Sequence, residues 1–388
     1  MTDPTQRARA AWAARINFLA LGMIGGVWGV HIPSAKARFA LDDRGVAALL
    51  AATTVGSLLS LTQAGRAVAR WGARRVAAWG GAVACAMLAL SLSLPGAVWL
   101  ACALATLGAA RSLLDVAANA ESALLERLEA RPIVSGLHAM FSVGGMSGAA
   151  IAAGLLRLEV AAPTQLLVLG VALGVTLVFS GRAMLDAHPA PAPPLVHAAG
   201  PPRGQLLTIG VLVAIGLMAE GIMYNWSVLY AQDELHLPQA VAALAYVSFA
   251  SAMAMTRLVG DRVRARWSAR RILTAGSSLA AIAIGATLLL GRPWAAFAGF
   301  ACAGIGMATV IPVLYTSAAR VRGVSAAVAL ASVASVGTVG TLVGPPIVGA
   351  VAHASSLTMG MAVVTLALVV LMVGARWLPR ADDGSGRA

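Results

Sequence analysis

Of the fifteen acidic residues in this 388-residue chain, all but Asp115, Glu121 and Glu220 fall between apolar runs or at their edges. Asp115 shares its run with Arg111 and Asn119. Their i, i+4, i+8 spacing stacks a cation, an acid and an amide along one face of a helix. A charge at the middle of a bilayer costs about 2.5–3.5 kcal/mol on insertion scales, so such a group is expected to pair or to face a wetted cavity. Asp115 therefore has two readings: a structural partner that neutralises Arg111, or a titratable group on a solute path. Glu220 lies in AEGIMYNWSVLY with no basic residue near it in sequence, which predicts an unpaired carboxyl able to load and release a proton. Glu121 reads as an interfacial helix end.

Tyr224, Asn225 and Trp226 follow Glu220 within two turns and offer a phenol, an amide and an indole. That mixture suits a polar solute held by hydrogen bonds and stacking, and it equally suits an aromatic belt at the membrane surface. His138 stands four residues before Ser142 and is a candidate proton or solute group, or one side of a helix–helix hydrogen bond. The remaining histidines, His31, His188, His197, His236 and His353, fall in loops or at span ends without ligand spacing, and Cys85, Cys102 and Cys302 show no metal or redox pairing. No metal and no cofactor is expected.

These residues need membrane helices to position them. The chain is 59% hydrophobic and 11% charged, with a mean hydropathy of +0.83, far from the balance of soluble domains. Twelve apolar runs near the ~20 residues that cross a bilayer lie at 14–33, 46–66, 74–94, 97–120, 134–156, 162–183, 205–230, 239–259, 270–290, 294–318, 324–350 and 354–377. The expected fold class is an all-α membrane protein of two six-helix bundles, 1–183 and 205–388. Between them, residues 184–204 are rich in proline, which cannot continue a helix, and read as the linker.

The hexapeptide RWGARR at 70–75 returns as RWSARR at 266–271, 196 residues on, and Gly25 and Gly108 match Gly221 and Gly304 at the same offset. Ser142-Val143-Gly144 matches 335–337 at an offset of 193, a three-residue slip. The halves are thus a parallel repeat, and a signal-peptide reading of the first span would leave them unequal. With the N-terminus in the cytoplasm, 22 Lys and Arg residues fall on that side and five on the other, with Arg111 inside a span; the positive-inside rule then puts both termini in the cytoplasm. The net charge of +13 is spread over short clusters between spans, which argues against nucleic acid binding. Lys36 is the single lysine, so a phosphate-binding loop of the G-x-x-x-x-G-K-[ST] type is absent.

The loop GRAVARWGARR from Gly65 to Arg75 resembles the G-x-x-x-D-[RK]-x-G-[RK]-[RK] signature of the major facilitator superfamily, with Gly65, Arg70, Gly72, Arg74 and Arg75 in place and Ala69 where the family has aspartate. The second half carries Gly260-Asp261-Arg262, followed by Arg266, Arg270 and Arg271. The resemblance implies two six-helix lobes rocking about a central cavity, with these loops as a cytoplasmic gate whose halves are unequal. LDVAANA at 114–120 resembles the fourth span of fucose–proton symporters, which implies proton coupling at Asp115 and Asn119. The first span lacks those symporters' aspartate, which leaves Glu220 as the candidate second carboxyl.

The combined expectation is a monomeric, proton-coupled transporter of a small polar solute, such as a sugar or related metabolite, in a bacterial inner membrane. Asp115 and Glu220 would carry protons, and Arg111, Asn119, His138, Tyr224, Asn225 and Trp226 would line the cavity. The expected partners are the solute, protons and the lipid bilayer. A proton-driven efflux antiporter shares this fold. Its Gly-x-x-x-Gly-Pro stretch occurs on span eleven, at Gly340 to Pro345, whereas on span five Gly148 is followed by Ala149. A non-transporting sensor is the alternative of another class; an enzyme is not expected, because no H-E-x-x-H or G-x-S-x-G pattern occurs.

Overall fold

The computed structural model describes residues 4–129, 133–185, 204–321 and 324–378; most of the expected linker, and Arg131 with it, lies outside them. The helices are α1 (Pro4–Arg38), α2 (Asp43–Trp71), α3 (Ala73–Leu90), α4 (Ala97–Glu129), α5 (Val134–Arg157), α6 (Ala162–Ala183), α7 (Gln205–Asp233), α8 (Gln239–Arg266), α9 (Ala269–Leu290), α10 (Pro293–Met307), α11 (Val310–Ala319), α12 (Ala326–Ala354) and α13 (Leu357–Gly374). Among the described residues there is no strand, and twelve segments are long and apolar enough to cross a membrane. The tenth of these is built from α10 and α11 together.

The chain divides into two compact units, residues 1–193 with 238–244, and 194–237 with 245–388. Their internal packing repeats. In the first, α1 packs on α5, α3 on α4 and α3 on α6; in the second, α7 packs on α12, α9 on α10 and α9 on α13. Glycines set the closest approaches. A side chain at Gly108 would strike the carbonyl of Thr53, and one at Gly304 the carbonyl of Phe249, so both the glycines and the backbones they meet are 196 residues apart. Gly144 presses on the Leu19 carbonyl and Gly340 on the Ala214 carbonyl. Gly340, 196 residues after Gly144, makes the corresponding close approach, to a carbonyl 195 residues after Leu19, rather than Gly337 at the offset of 193. Helices that meet at a bare backbone exchange side-chain volume for close van der Waals contact, the usual currency of packing in lipid.

The repeated hexapeptide turns the chain between α2 and α3 and between α8 and α9 by two different devices. Gly72 has φ 81°, a left-handed value that favours glycine, and its N–H closes α2 onto the Val68 carbonyl. Ser268 instead has φ −66° and caps α9, its hydroxyl accepting from the Arg271 N–H. The single difference between RWGARR and RWSARR is therefore a change of turn chemistry. Elsewhere α1 runs on through Pro33 to Arg38, five residues past the expected span end near 33.

Candidate functional site

In the first unit the predicted polar stripe exists. Asn119 donates from Nδ2 to the Asp115 carbonyl at 2.9 Å and to Asp115 Oδ1 at 3.1 Å. Asp115 is exposed and Arg111 and Asn119 half-buried, whereas Leu114, Ala117 and Ala118 behind them are fully buried. The helix thus turns its apolar side into the unit and its polar side out of it. Arg111 does more than accompany Asp115: its Nη2 donates to the Leu21 carbonyl of α1 at 3.4 Å, alongside Gly25. Arg111 and His138 both lie within electrostatic reach of Asp115. His138 is exposed on α5, its ring edge-on to Phe18 of α1 with centroids 5.0 Å apart. Helices α1, α4 and α5 thereby bring two cationic or protonatable groups around one carboxyl.

In the second unit the expectation of an unpaired Glu220 is wrong. Arg257 of α8 donates from Nη2 to Glu220 Oε1 at 3.0 Å, with side-chain exposures of 24% and 15%. Sequence distance hides the pair, because the partners are 37 residues apart and Arg257 lies at the end of the apolar run 239–259, where the positive-inside count takes it as one of the 22 cytoplasmic charges. A guanidinium inside a span needs an acceptor, and Glu220 supplies one. Arg257 also donates from Nε to the Ala308 carbonyl at 3.4 Å. Tyr224, half-buried, turns its hydroxyl to Met253 Sδ at 3.4 Å and packs its ring against Tyr246 and Phe249, with centroids 5.2 and 5.0 Å away. Asn225 is half-buried and returns its Nδ2 to the Gly221 carbonyl at 2.8 Å. Trp226 is fully buried and begins a stretch through Ala231 that is buried throughout. Its ring is a packing element in this conformation, which corrects its expected place in the cavity lining.

The predicted gate residues collect at the two repeated turns. Arg70, Arg75, Arg266, Arg270 and Arg271 are exposed, Arg74 is half-buried, and Gly65 is exposed with open space around it. Arg70 folds onto Trp71, 5.7 Å from the ring, a cation–π contact. Gly260 is buried and meets Thr309. The side chains of Asp261 and Arg262 lie outside the described residues.

Three buried polar arrangements had no clear signal in the sequence. His31 sits inside α1 rather than at a loop, its ring nitrogens 3.3 Å from Ser34 Oγ and 3.2 Å from Gln165 Oε1. Ser180 donates to Asn17 Oδ1 at 2.7 Å, tying α6 to α1. Glu121, expected at an interface, is fully buried and accepts the Leu185 N–H at 2.7 Å, so it fastens the chain that leaves α6. In the second unit Glu234, at the end of α7, accepts the Leu357 N–H at 2.9 Å and the Thr358 hydroxyl, capping α13.

Known proteins carry the same architecture. The chain matches the Major Facilitator Superfamily over residues 13–323 and 208–388. It is 32% identical to an uncharacterised MFS-type transporter of Yersinia pestis over 95% of each chain. Among solved structures, a bacterial homologue of the human lysosomal transporter Spinster superposes with a TM-score of 0.76 at 14% identity, covering 97% of this chain and 98% of that one. The E. coli fucose:proton symporter FucP superposes with a TM-score of 0.63 at 14% identity, covering 96% and 98%. At such identities the structural likeness is one of fold. The family match and the near full-length relative go further: this chain, with twelve segments of membrane-spanning length among its described residues, belongs to the Major Facilitator Superfamily and is a multi-pass membrane transporter.

Proposed function

We propose that this transporter moves a small polar solute, of the sugar or related-metabolite class, together with protons by alternating access. Asp115 and Glu220 are the protonatable groups. The observation that carries the reading is the outward-turned face of α4, where Arg111, Asp115 and Asn119 are accessible and the apolar residues behind them are buried. An acid, a cation and an amide are too costly to leave against acyl chains, so this face is wetted. Arg111 and His138 set the charge around Asp115, and Asn119 orients its carboxyl through the 3.1 Å bond. Glu220 exchanges its proton beside Arg257, whose guanidinium donates to its carboxylate. Tyr224 and Asn225 offer hydrogen bonds to the solute near Glu220.

The chain acts as a monomer in a bacterial inner membrane with both termini in the cytoplasm, and the two arginine-rich turns form its cytoplasmic gate. Arg257 leaves the cytoplasmic tally, which remains heavily biased without it. The test begins with a thermal-shift screen of the purified protein against sugars, sugar acids and amphiphilic drugs. The stabilising solute is then offered to proteoliposomes under an imposed proton gradient. Accumulation with the inward proton flow supports the symport reading. Expulsion against it identifies the antiporter, and tight binding without flux identifies a sensor.

A further inference from the structure

The tenth membrane segment is broken, and the break has an identifiable cause. Its helical ladder stops at Ala308–Thr309, between α10 and α11. Four residues after Ala308 comes Pro312, which has no N–H to give, so the Ala308 carbonyl loses its helical donor. Arg257 fills that vacancy: Nε donates to the Ala308 carbonyl at 3.4 Å while Nη2 holds Glu220 at 3.0 Å. One guanidinium thus bridges a carboxyl on α7 and the carbonyl at the interruption, as its planar fork of donors permits.

The surroundings make the interruption a point where three helices meet. Gly260, one turn after Arg257 on α8, packs against Thr309, and Gly216, one turn before Glu220 on α7, leaves space for Ile311. Tyr224 and Tyr246 lie within electrostatic reach of the Glu220–Arg257 pair. Of the elements packed on α7, α10, α11 and α13 contain no acidic or basic residue and α12 has only His353, in its last turn, whereas α8 carries Asp261, Arg262, Arg264 and Arg266 beyond Arg257 in sequence.

We infer that Arg257 is a positioning residue that latches the Ala308–Thr309 interruption to α7 and that proton loading of Glu220 releases the latch. With Glu220 ionised, the guanidinium ties the carboxyl and the carbonyl together through a charge-assisted bond. With Glu220 protonated, that bond loses its charge and the tie to α7 weakens, so the two half-helices open or bend more readily. The inference rests on the reading of Glu220 as a proton site and adds the moving part that the proton controls.

Hydrogen–deuterium exchange of the full-length protein in nanodiscs, read on peptides covering residues 304–314, tests it. After correction for intrinsic chemical rates, exchange in the wild type is expected to rise roughly tenfold from alkaline to acidic pH, the loss of one charge-assisted bond. Glu220→Gln should exchange at the fast rate at every pH. Pro312→Ala restores the N–H that reaches the Ala308 carbonyl and should exchange slowly at every pH. A wild-type rate that does not change with pH, or a Glu220→Gln protein that keeps the wild-type response, overturns the latch. Flux separates this from the broader reading: if Glu220→Gln loses the exchange response yet keeps proton-coupled flux, the latch stands and the coupling role of Glu220 falls.

Discussion

Removing either partner of the Glu220–Arg257 pair should destabilise the protein by different amounts, and the difference follows from what each orphan can do. In Glu220→Ala the guanidinium stays charged at any working pH and loses its Glu220 carboxylate while the bond to the Ala308 carbonyl remains. Orphaning a buried charge costs about 3–5 kcal/mol; with side-chain exposures of 24% and 15%, the lower end, about 3 kcal/mol, is expected. In Arg257→Ala the stranded carboxyl can take up a proton and become neutral, which limits the loss to about 1–2 kcal/mol. The double variant removes both charges and should lose no more than Glu220→Ala alone, a coupling of about 2 kcal/mol. Unfolding in mixed micelles titrated with SDS gives the four free energies. Losses that add to within about 0.5 kcal/mol would show that the pair behaves like a solvent-screened surface bridge and would refute the reasoning.

Two further outcomes test the packing around the sites. Gly108→Val and Gly304→Val each drive a side chain into a facing carbonyl, of Thr53 and Phe249, and should each cost about 1–3 kcal/mol in the same titration; Gly65→Ala, with nothing within 4 Å, should be neutral or gain up to about 1 kcal/mol from helix propensity. Glu234→Ala strips α13 of the acceptor for Leu357 N–H and the Thr358 hydroxyl and should cost about 1–3 kcal/mol, with faster amide exchange at the start of that helix.

The parts of this protein that follow from local chemistry were legible in the sequence, and the parts that depend on distant partners were not. Apolar length located the spans, because a bilayer forces every backbone group to be satisfied within its own helix. The 196-residue offset carried through to Gly108 and Gly304 because a backbone contact needs glycine in both copies. The Arg111, Asp115, Asn119 stripe was readable because helical spacing alone puts those residues on one face. The Glu220–Arg257 pair was not legible, because hydropathy marks where a helix leaves the bilayer but carries nothing about the partner opposite it. The interruption at Ala308 had a local signal in Pro312, but its meaning needed the arginine that answers it. Trp226 was misplaced because residues a single step apart on α7, Asn225 and Trp226, point in different directions.

Gradient-driven flux in proteoliposomes tests the central claim most directly. With the solute that stabilises the purified protein, wild type should accumulate it when the outside is made acidic. Asp115→Asn and Glu220→Gln, assayed singly and together, should abolish the gradient-driven component, the double variant keeping only solute movement that ignores pH. Full proton-driven accumulation in both single variants and the double variant would contradict the account.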